Sequence, residues 1–384
     1  MQRFYFDHNA TTPMAPEVLE TMVSCLGQVY GNASSIHYFG QNAKQRLEAA
    51  RRQVAALIHA NPTEIVFTGG GTEADNMAVM GVARAAGTRS LHVITTTIEH
   101  PAVLSPCAQL EREGVAVTRV RVSGTGIISA DDVRRALRPE TVLISAMHAN
   151  NELGTIQPIA EIARIAREAG VPLHVDGVQA LGKIPVDVDA LGVDLYSMSA
   201  HKLYAPKGLG ALYVRKGTKL APLTWGGHHE RDRRPGTENV PGVAAFGVAA
   251  DLAGRSLASD GERLSALRDR LENAILDRIP GSGVNGSRWN RTPNTSNMYF
   301  DGIDGEALVI SLDLRGFAVS TGAACSSGAI APSHVLTAIG LDADRARASM
   351  RFSLGRANTA EQVDALSEAL TASVAHLRRI SVHA

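Results

Sequence analysis

Lys202 ends the run Ser199-Ala200-His201-Lys202, which lies between two short apolar stretches, Asp194–Met198 and Gly210–Val214. An amine fixed between two strands, beside hydroxyls and an imidazole, is suited to hold an aldehyde, because partial burial lowers its pKa and frees the nucleophilic base. The same residue types also serve a phosphate or simply face solvent, so this stretch alone leaves both open. Asp176 ends a second apolar run, Leu173-His174-Val175-Asp176, and is either a carboxylate sunk at a strand end or an ordinary helix cap. His100, after Glu99, offers a planar ring at another strand end. Arg351 offers a fork suited to a carboxylate, with Arg356 as an equally charged alternative. Of the three cysteines, Cys25 and Cys107 fall in apolar helical patterns and read as inert core thiols. Cys325 instead lies in Ser320-Thr321-Gly322-Ala323-Ala324-Cys325-Ser326-Ser327-Gly328-Ala329, without apolar periodicity, and is a candidate nucleophile.

Taken together these groups meet the demands of pyridoxal 5'-phosphate. That group needs a lysine for its aldehyde, an acid beside its pyridine nitrogen, a phosphate cup, a planar neighbour for its ring and a donor near its phenolic oxygen. Lys202, Asp176 and His100 are the candidates for the first, second and fourth. Gln179, one helical turn past Asp176, is the candidate for the phenolic oxygen. Thr72, Ser199 and His201 are candidate phosphate donors, with the backbone at Gly71. The loop Gly69-Gly70-Gly71-Thr72 opens a helix, where amides and the helix dipole attract an anion, although three glycines also suit a plain tight turn. It matches neither a Walker loop nor a dinucleotide fingerprint.

Positioning these residues requires strands that end beside one another. Runs at 65–68, 91–95, 115–122, 142–146, 173–176, 194–198 and 210–214 alternate with helical patterns over most of this span. This spacing predicts an α/β fold with a mostly parallel sheet covered on both faces, its site at the carboxyl ends of the strands. The polar stretch Asp7–Pro13 is expected to cap a helix starting near Ala15. Past Val214 comes a polar, glycine-containing segment, Trp225–Asn239, then helices expected at 241–253 and 260–278. Farther on are a strand at 295–300, a helix at 305–315, a strand at 317–319, a strand at 350–356 and a last helix at 359–378. A large domain over 15–255 and a smaller α+β domain formed by 1–14 and 256–384 are expected.

The 384 residues suffice for two cores, and 45% hydrophobic residues exclude a disordered chain. Lys+Arg and Asp+Glu both number 38, which argues against nucleic acid and acidic membranes as partners. No apolar run approaches the roughly 20 residues of a membrane helix, and the first residues lack a signal-peptide pattern. Three scattered cysteines favour a reducing, cytoplasmic setting and suit neither a disulfide framework nor a metal site.

Asn9-Ala10-Thr11-Thr12, Gly31-Asn32 with Ser34-Ser35, Thr72-Glu73, Glu99-His100, Asn150-Asn151-Glu152, His174-Val175-Asp176, Ser199–Lys202, Arg234–Thr237, Cys325 and Arg351–Gly355 together carry a resemblance that spans almost the whole chain. On these the chain resembles the cysteine desulfurases of the NifS/IscS type, within the fold type I pyridoxal-phosphate enzymes. The resemblance implies a large domain with a seven-stranded, mostly parallel sheet and a smaller α+β domain. It implies removal of sulfur from L-cysteine to give L-alanine and a persulfide on Cys325. Lys202 is then the base for the α-proton, His100 assists proton transfers, and Arg351 with Asn151 and Asn32 binds substrate. Asn151 also joins the cofactor contacts, and Thr237 reaches the phosphate of the neighbouring subunit in a homodimer. A sulfur-acceptor protein, either an iron–sulfur scaffold or a thiolation carrier, is the implied partner. The Cys325 surroundings look like the class with a long mobile catalytic loop. Gly69-Gly70-Gly71 stands where many members have Ser-Gly-Ala, and the C-terminus at Ala384 leaves scaffold docking open. The alternatives are an aminotransferase, a β-lyase or selenocysteine lyase of the same fold, and a sulfur-relay protein with a degenerate site.

Overall fold

The structure, a computed structural model, describes residues 2–87, 90–321 and 332–381. Its strands in chain order are β1 (Phe4–Tyr5), β2 (Ile65–Thr68), β3 (His92–Thr96), β4 (Ala116–Val120), β5 (Thr141–Met147) and β6 (Leu173–Asp176). They continue with β7 (Leu195–Ser199), β8 (Gly210–Val214), β9 (Ser282–Val284), β10 (Thr295–Phe300), β11 (Phe317–Ala318) and β12 (Ser349–Ser353). Seven of them form one sheet in the order β2-β8-β7-β6-β5-β3-β4. Its pairings are parallel except those of β8, which runs antiparallel to both β2 and β7.

The apolar runs are continuous because both faces of this sheet are covered. Alternate residues go to opposite sides. Ile65, Phe67, Ala211 and Tyr213 pack into one core with helices Pro16–Gln28, Tyr38–Leu57, Ile159–Ala169 and the start of Val240–Arg278. Val66, Leu212 and Val214 pack into the other with helices Gly71–Ala85 and Pro101–Arg112. The sheet order therefore brings the carboxyl ends of β5, β6 and β7 side by side, with the helix of 71–85 starting next to them.

A third core lies around the antiparallel sheet β12-β10-β9. It contains Phe6, Leu264, Leu271, Met298, Phe300, Leu308, Phe352, Leu366 and Leu370. The N-terminal strand belongs here: β1 pairs in parallel with β11, Phe4 opposite Phe317, their rings 5.4 Å apart. One difference from the sequence reading is the helix Val240–Arg278, continuous over 39 residues where two helices were expected. Its buried residues stop at Ala253 and resume at Leu264. Between the two cores that it enters the helix is solvated, so apolar periodicity lapses there although nothing breaks the backbone. The expected boundary near 255 falls inside this solvated stretch.

Candidate active site

A cleft of about 1110 Å³ opens where β5, β6 and β7 end. Each wall follows from local structure. β6 delivers Asp176, whose Oδ1 accepts from the Val178 amide at 2.9 Å. β7 ends at Ser199 and passes into a single 3₁₀ turn, Ala200–Lys202, which turns Lys202 into the cleft. Its Nζ donates to the carbonyl oxygens of Asn9 at 2.5 Å and Ala10 at 2.6 Å. Tyr204, just beyond, sits at φ 62°, a left-handed conformation held by Thr12, whose Oγ1 accepts from the Tyr204 amide at 2.8 Å. His201 Nδ1 lies 3.1 Å from Thr11 Oγ1.

The glycine loop approaches the cleft closely at Gly71. A Cβ there would stand 2.9 Å from Val178 Cγ2 and 3.2 Å from Ser199 Cβ, so only glycine leaves that backbone in place. Helix Gly71–Ala85 begins at this point, with Thr72 and its free amides lining the cleft. His100 caps the helix Pro101–Arg112, its Nδ1 accepting from the Ala102 amide at 3.1 Å. Gln179 donates from Nε2 to the Asn9 carbonyl at 3.0 Å. Arg351, on β12, is buried; it donates to Asp7 Oδ1 at 2.7 Å and to the Asn151 carbonyl at 3.1 Å, while its Nε has no hydrogen-bond partner among the described residues.

Charge in this cleft is governed by burial. Burial, and then Asp75, pushes the Asp176 carboxyl up to about 7, against the opposing pull of the Val178 amide, His100 and His174. Burial likewise raises Asp75 to about 7, Glu99 to about 8 and Glu152 to about 7. It lowers His174 and His201 to about 4, with Lys202 adding to the effect on His201. His100 is exposed at the cleft, and desolvation by the protein around it is the main cause of its lowered pKa. A pair of buried carboxylic acids beside neutral imidazoles can hold a proton against a heteroaromatic nitrogen.

Of the residues singled out from the sequence, Gly71, Thr72, His100, Asn151, Asp176, Gln179, Ser199, His201, Lys202 and Arg351 all line this one cleft. Asn32 and Thr237 do not. Asn32 is exposed in a turn, its Oδ1 accepting from the Ser34 amide at 2.9 Å, and Thr237 is exposed in the segment before helix Val240–Arg278. Cys325 lies outside the described residues. On either side of it the chain is anchored to the cleft: Ser320 pairs with the backbone of Arg351, Ser333 Oγ donates to Glu152 Oε2 at 2.5 Å, and His334 Nε2 lies 2.9 Å from the Glu99 carbonyl. Cys25 and Cys107 are buried, as core thiols should be, and burial pushes Cys107 up to about 12.

The sequence reading gave the N-terminal segment no place in the cleft. Asp7–Pro13 was expected to cap a helix, but Ala15 precedes Pro16 with no side-chain cap, and the segment instead runs along the cleft floor. Asn9 is buried there and meets Lys202 and Gln179 through its main-chain carbonyl, a contact with no side-chain signature. Asp75 and Lys183 were also missed; each follows a chosen residue, Thr72 or Gln179, by about one helical turn, which was the available signal.

The residues present fit pyridoxal phosphate: a lysine amine faces the cleft, a buried carboxylate ends the neighbouring strand, and the helix start at Gly71 admits no side chain. The family model described as Aminotransferase class-V matches residues 4–366, and the chain belongs to that family, whose members depend on pyridoxal phosphate. More narrowly, it is similar to cysteine desulfurases. It is 48% identical to Cysteine desulfurase IscS of Dictyoglomus turgidum, over 98% of this chain and 96% of that protein. The solved structure of a NifS-like protein superposes with a TM-score of 0.92 at 36% identity, covering 98% of this chain and all of the other. A structure titled SspA in complex with cysteine superposes at 0.81 with 38% identity, covering 91% of this chain and 98% of that one. The fold and family expected from the residues are the ones found.

Proposed function

We propose that this chain is a cysteine desulfurase that takes sulfur from L-cysteine and leaves L-alanine, through a persulfide on Cys325. The observation that carries the reading is the convergence of Lys202, Asp176, His100 and Arg351 on one cleft, in a chain nearly half identical to a cysteine desulfurase. Pyridoxal phosphate, held by Lys202, Asp176, Gln179, Asn151 and His100, with Gly71, Thr72, Ser199 and His201 at its phosphate, supplies an aldehyde and an electron-accepting ring when bound.

The protein's own residues do the rest. Among the described residues, Arg351 has N–H groups to spare beyond those given to Asp7 and Asn151, and these receive the substrate carboxylate. Asn151, which also lines the cleft, assists there. Lys202 takes the α-proton, and His100, its pKa lowered chiefly by desolvation, carries protons at the cleft mouth. Cys325, as thiolate, attacks the substrate sulfur: an S–S bond forms, the C–S bond breaks, and the carbon takes a proton to become alanine. L-Cysteine and Cys325–SH thereby become L-alanine and Cys325–S–SH, with no outside oxidant.

The persulfide passes to an acceptor protein, an iron–sulfur scaffold or a thiolation carrier. The working unit is a homodimer in which Thr237 reaches the neighbouring subunit's cofactor phosphate. The setting is the cytoplasm; no helix among the described residues is long and apolar enough to cross a membrane. The test is alanine release from L-cysteine with added reductant, comparing wild type with Cys325→Ala. Release that disappears in the variant while its cofactor absorption stays supports persulfide chemistry at Cys325. Equal release from both overturns it in favour of a lyase that does not use this thiol.

A further inference from the structure

Lys183 lies one helical turn beyond Gln179 in the turns that follow β6. Its Nζ donates to two neutral amide oxygens, Asn9 Oδ1 at 2.9 Å and Gln179 Oε1 at 2.5 Å. The orientation of both amides is set by atoms that only accept. Gln179 Nε2 faces the Asn9 carbonyl, and Asn9 Nδ2 faces the Asn151 carbonyl at 3.1 Å. Each amide must therefore turn its oxygen toward Lys183. The Asn9 carbonyl that accepts from Gln179 also accepts from Lys202, so the two lysines are joined through Gln179 and Asn9.

We propose that Lys183 is a positioning residue of the cofactor site, holding the Gln179 amide with its N–H edge toward the cleft and the Asn9 carbonyl toward Lys202. This rests on the reading of Gln179 and Lys202 as cofactor contacts.

A lysine is an expensive way to fill this space. Burial, Lys202 from the turn after β7 and Arg351 from β12 all oppose its charge, and its own charge in turn disfavours protonation of His8 on the N-terminal segment. Both of its hydrogen-bond partners are neutral, whereas an apolar side chain would carry no such penalty. What an apolar side chain lacks is a donor for Gln179 Oε1; Asn9 Oδ1 also accepts from Asn294 Nδ2 at 3.1 Å. Lys202 is faced in addition by His201 beside it and by His100 and Asp176 across the cleft, so its titration reports on this whole set of groups.

The test titrates the visible absorption of the pyridoxal-phosphate-loaded protein against pH, in the wild type, Lys183→Met, Lys183→Arg, Gln179→Ala and the Met/Ala double variant. Losing the donor that fixes the Gln179 amide makes the cofactor's basic atoms more basic, so Lys183→Met should move the midpoint upward by about one pH unit. Gln179→Ala should move it the same way, and the double variant no further than the larger single shift. Lys183→Arg, which keeps the donors, should restore the wild-type midpoint. If Lys183→Met does not fold, Lys183→Ala should show the same shift. A midpoint unchanged in Lys183→Met, with only thermal stability lowered, overturns the proposal, and so do additive shifts in the double variant. No visible band in the wild type would overturn the cofactor reading itself, and this proposal with it.

Discussion

Asp75 holds a carboxyl on the helix that begins at Gly71, buried and 3.5 Å from His174, with Oδ1 lacking a hydrogen-bond partner among the described residues. His174 is held neutral by burial and so gives no positive charge to offset the cost of ionising Asp75. Its folded pKa, about 7, stands above the unfolded value of about 3.9. The folded state therefore binds the extra proton, and the stability this contributes is fully present below about pH 4 and is lost as pH rises through about 7. Asp75→Asn never ionises. In cofactor-free protein it should gain on the wild type by on the order of 3 kcal/mol between pH 4 and pH 8. Urea unfolding at the two pH values measures this, and a constant gap would show that Asp75 is not the buried acid described here. Gly71 yields a second expectation at this scale. Gly71→Ala drives a methyl against Val178 and Ser199, and equilibrium titration should find pyridoxal phosphate bound about tenfold more weakly, roughly 1.4 kcal/mol.

At the scale of elements, two connections set the cleft's frame. Arg51, on helix Tyr38–Leu57, and Glu230 form a buried bidentate pair with N–O distances of 2.8 and 2.7 Å. Arg51 also covers the Phe67 ring at 4.8 Å, and Glu230 accepts from the Phe67 amide at 2.9 Å. Glu230, Arg231 and Asp232 all have positive φ, so this pair holds a left-handed stretch of non-glycine residues against β2. Arg51→Met strands the Glu230 charge inside the protein and should cost about 3–5 kcal/mol by urea unfolding; a loss under 1 kcal/mol would mean the pair is solvated. The second connection is the helix Val240–Arg278, common to two of the cores. Ala258 is exposed in its middle. Ala258→Pro should cost about 3 kcal/mol and split a single unfolding transition into two, as followed by circular dichroism. An unchanged single transition would show that the cores are coupled by other contacts.

The whole molecule leaves an apolar stripe uncovered. Leu19, Val23 and Leu26 share one face of helix Pro16–Gln28 and are exposed, as are Tyr30, Ile36, Tyr38 and Phe39 just after it. A stripe this continuous on a chain with balanced charge fits coverage by a second copy, with no net repulsion between copies. Sedimentation equilibrium should give twice the 40.6 kDa chain mass, and Val23→Glu with Leu26→Glu should shift it toward the monomer. A wild-type monomer at micromolar concentration would argue against the homodimer.

Strands, helices and the ends at which they place Lys202, Asp176, His100, Ser199 and Gly71 were legible in the sequence. Apolar runs and their periods are local, and a parallel sheet has to put its loops at one edge. Arg351 was legible only as a residue type; its place in the cleft depends on β12 lying beside the N-terminal segment. The tertiary structure alone decided that Asn9, far from Lys202 in sequence, lends it a main-chain carbonyl, that Lys183 orients Gln179, and that Asn32 and Thr237 stand away from the cleft of their own chain. A main-chain acceptor leaves no mark on residue identity, and a buried lysine looks like an exposed one in sequence. Which side chains share the interior is settled by how separate elements pack, and nothing in the local pattern records that.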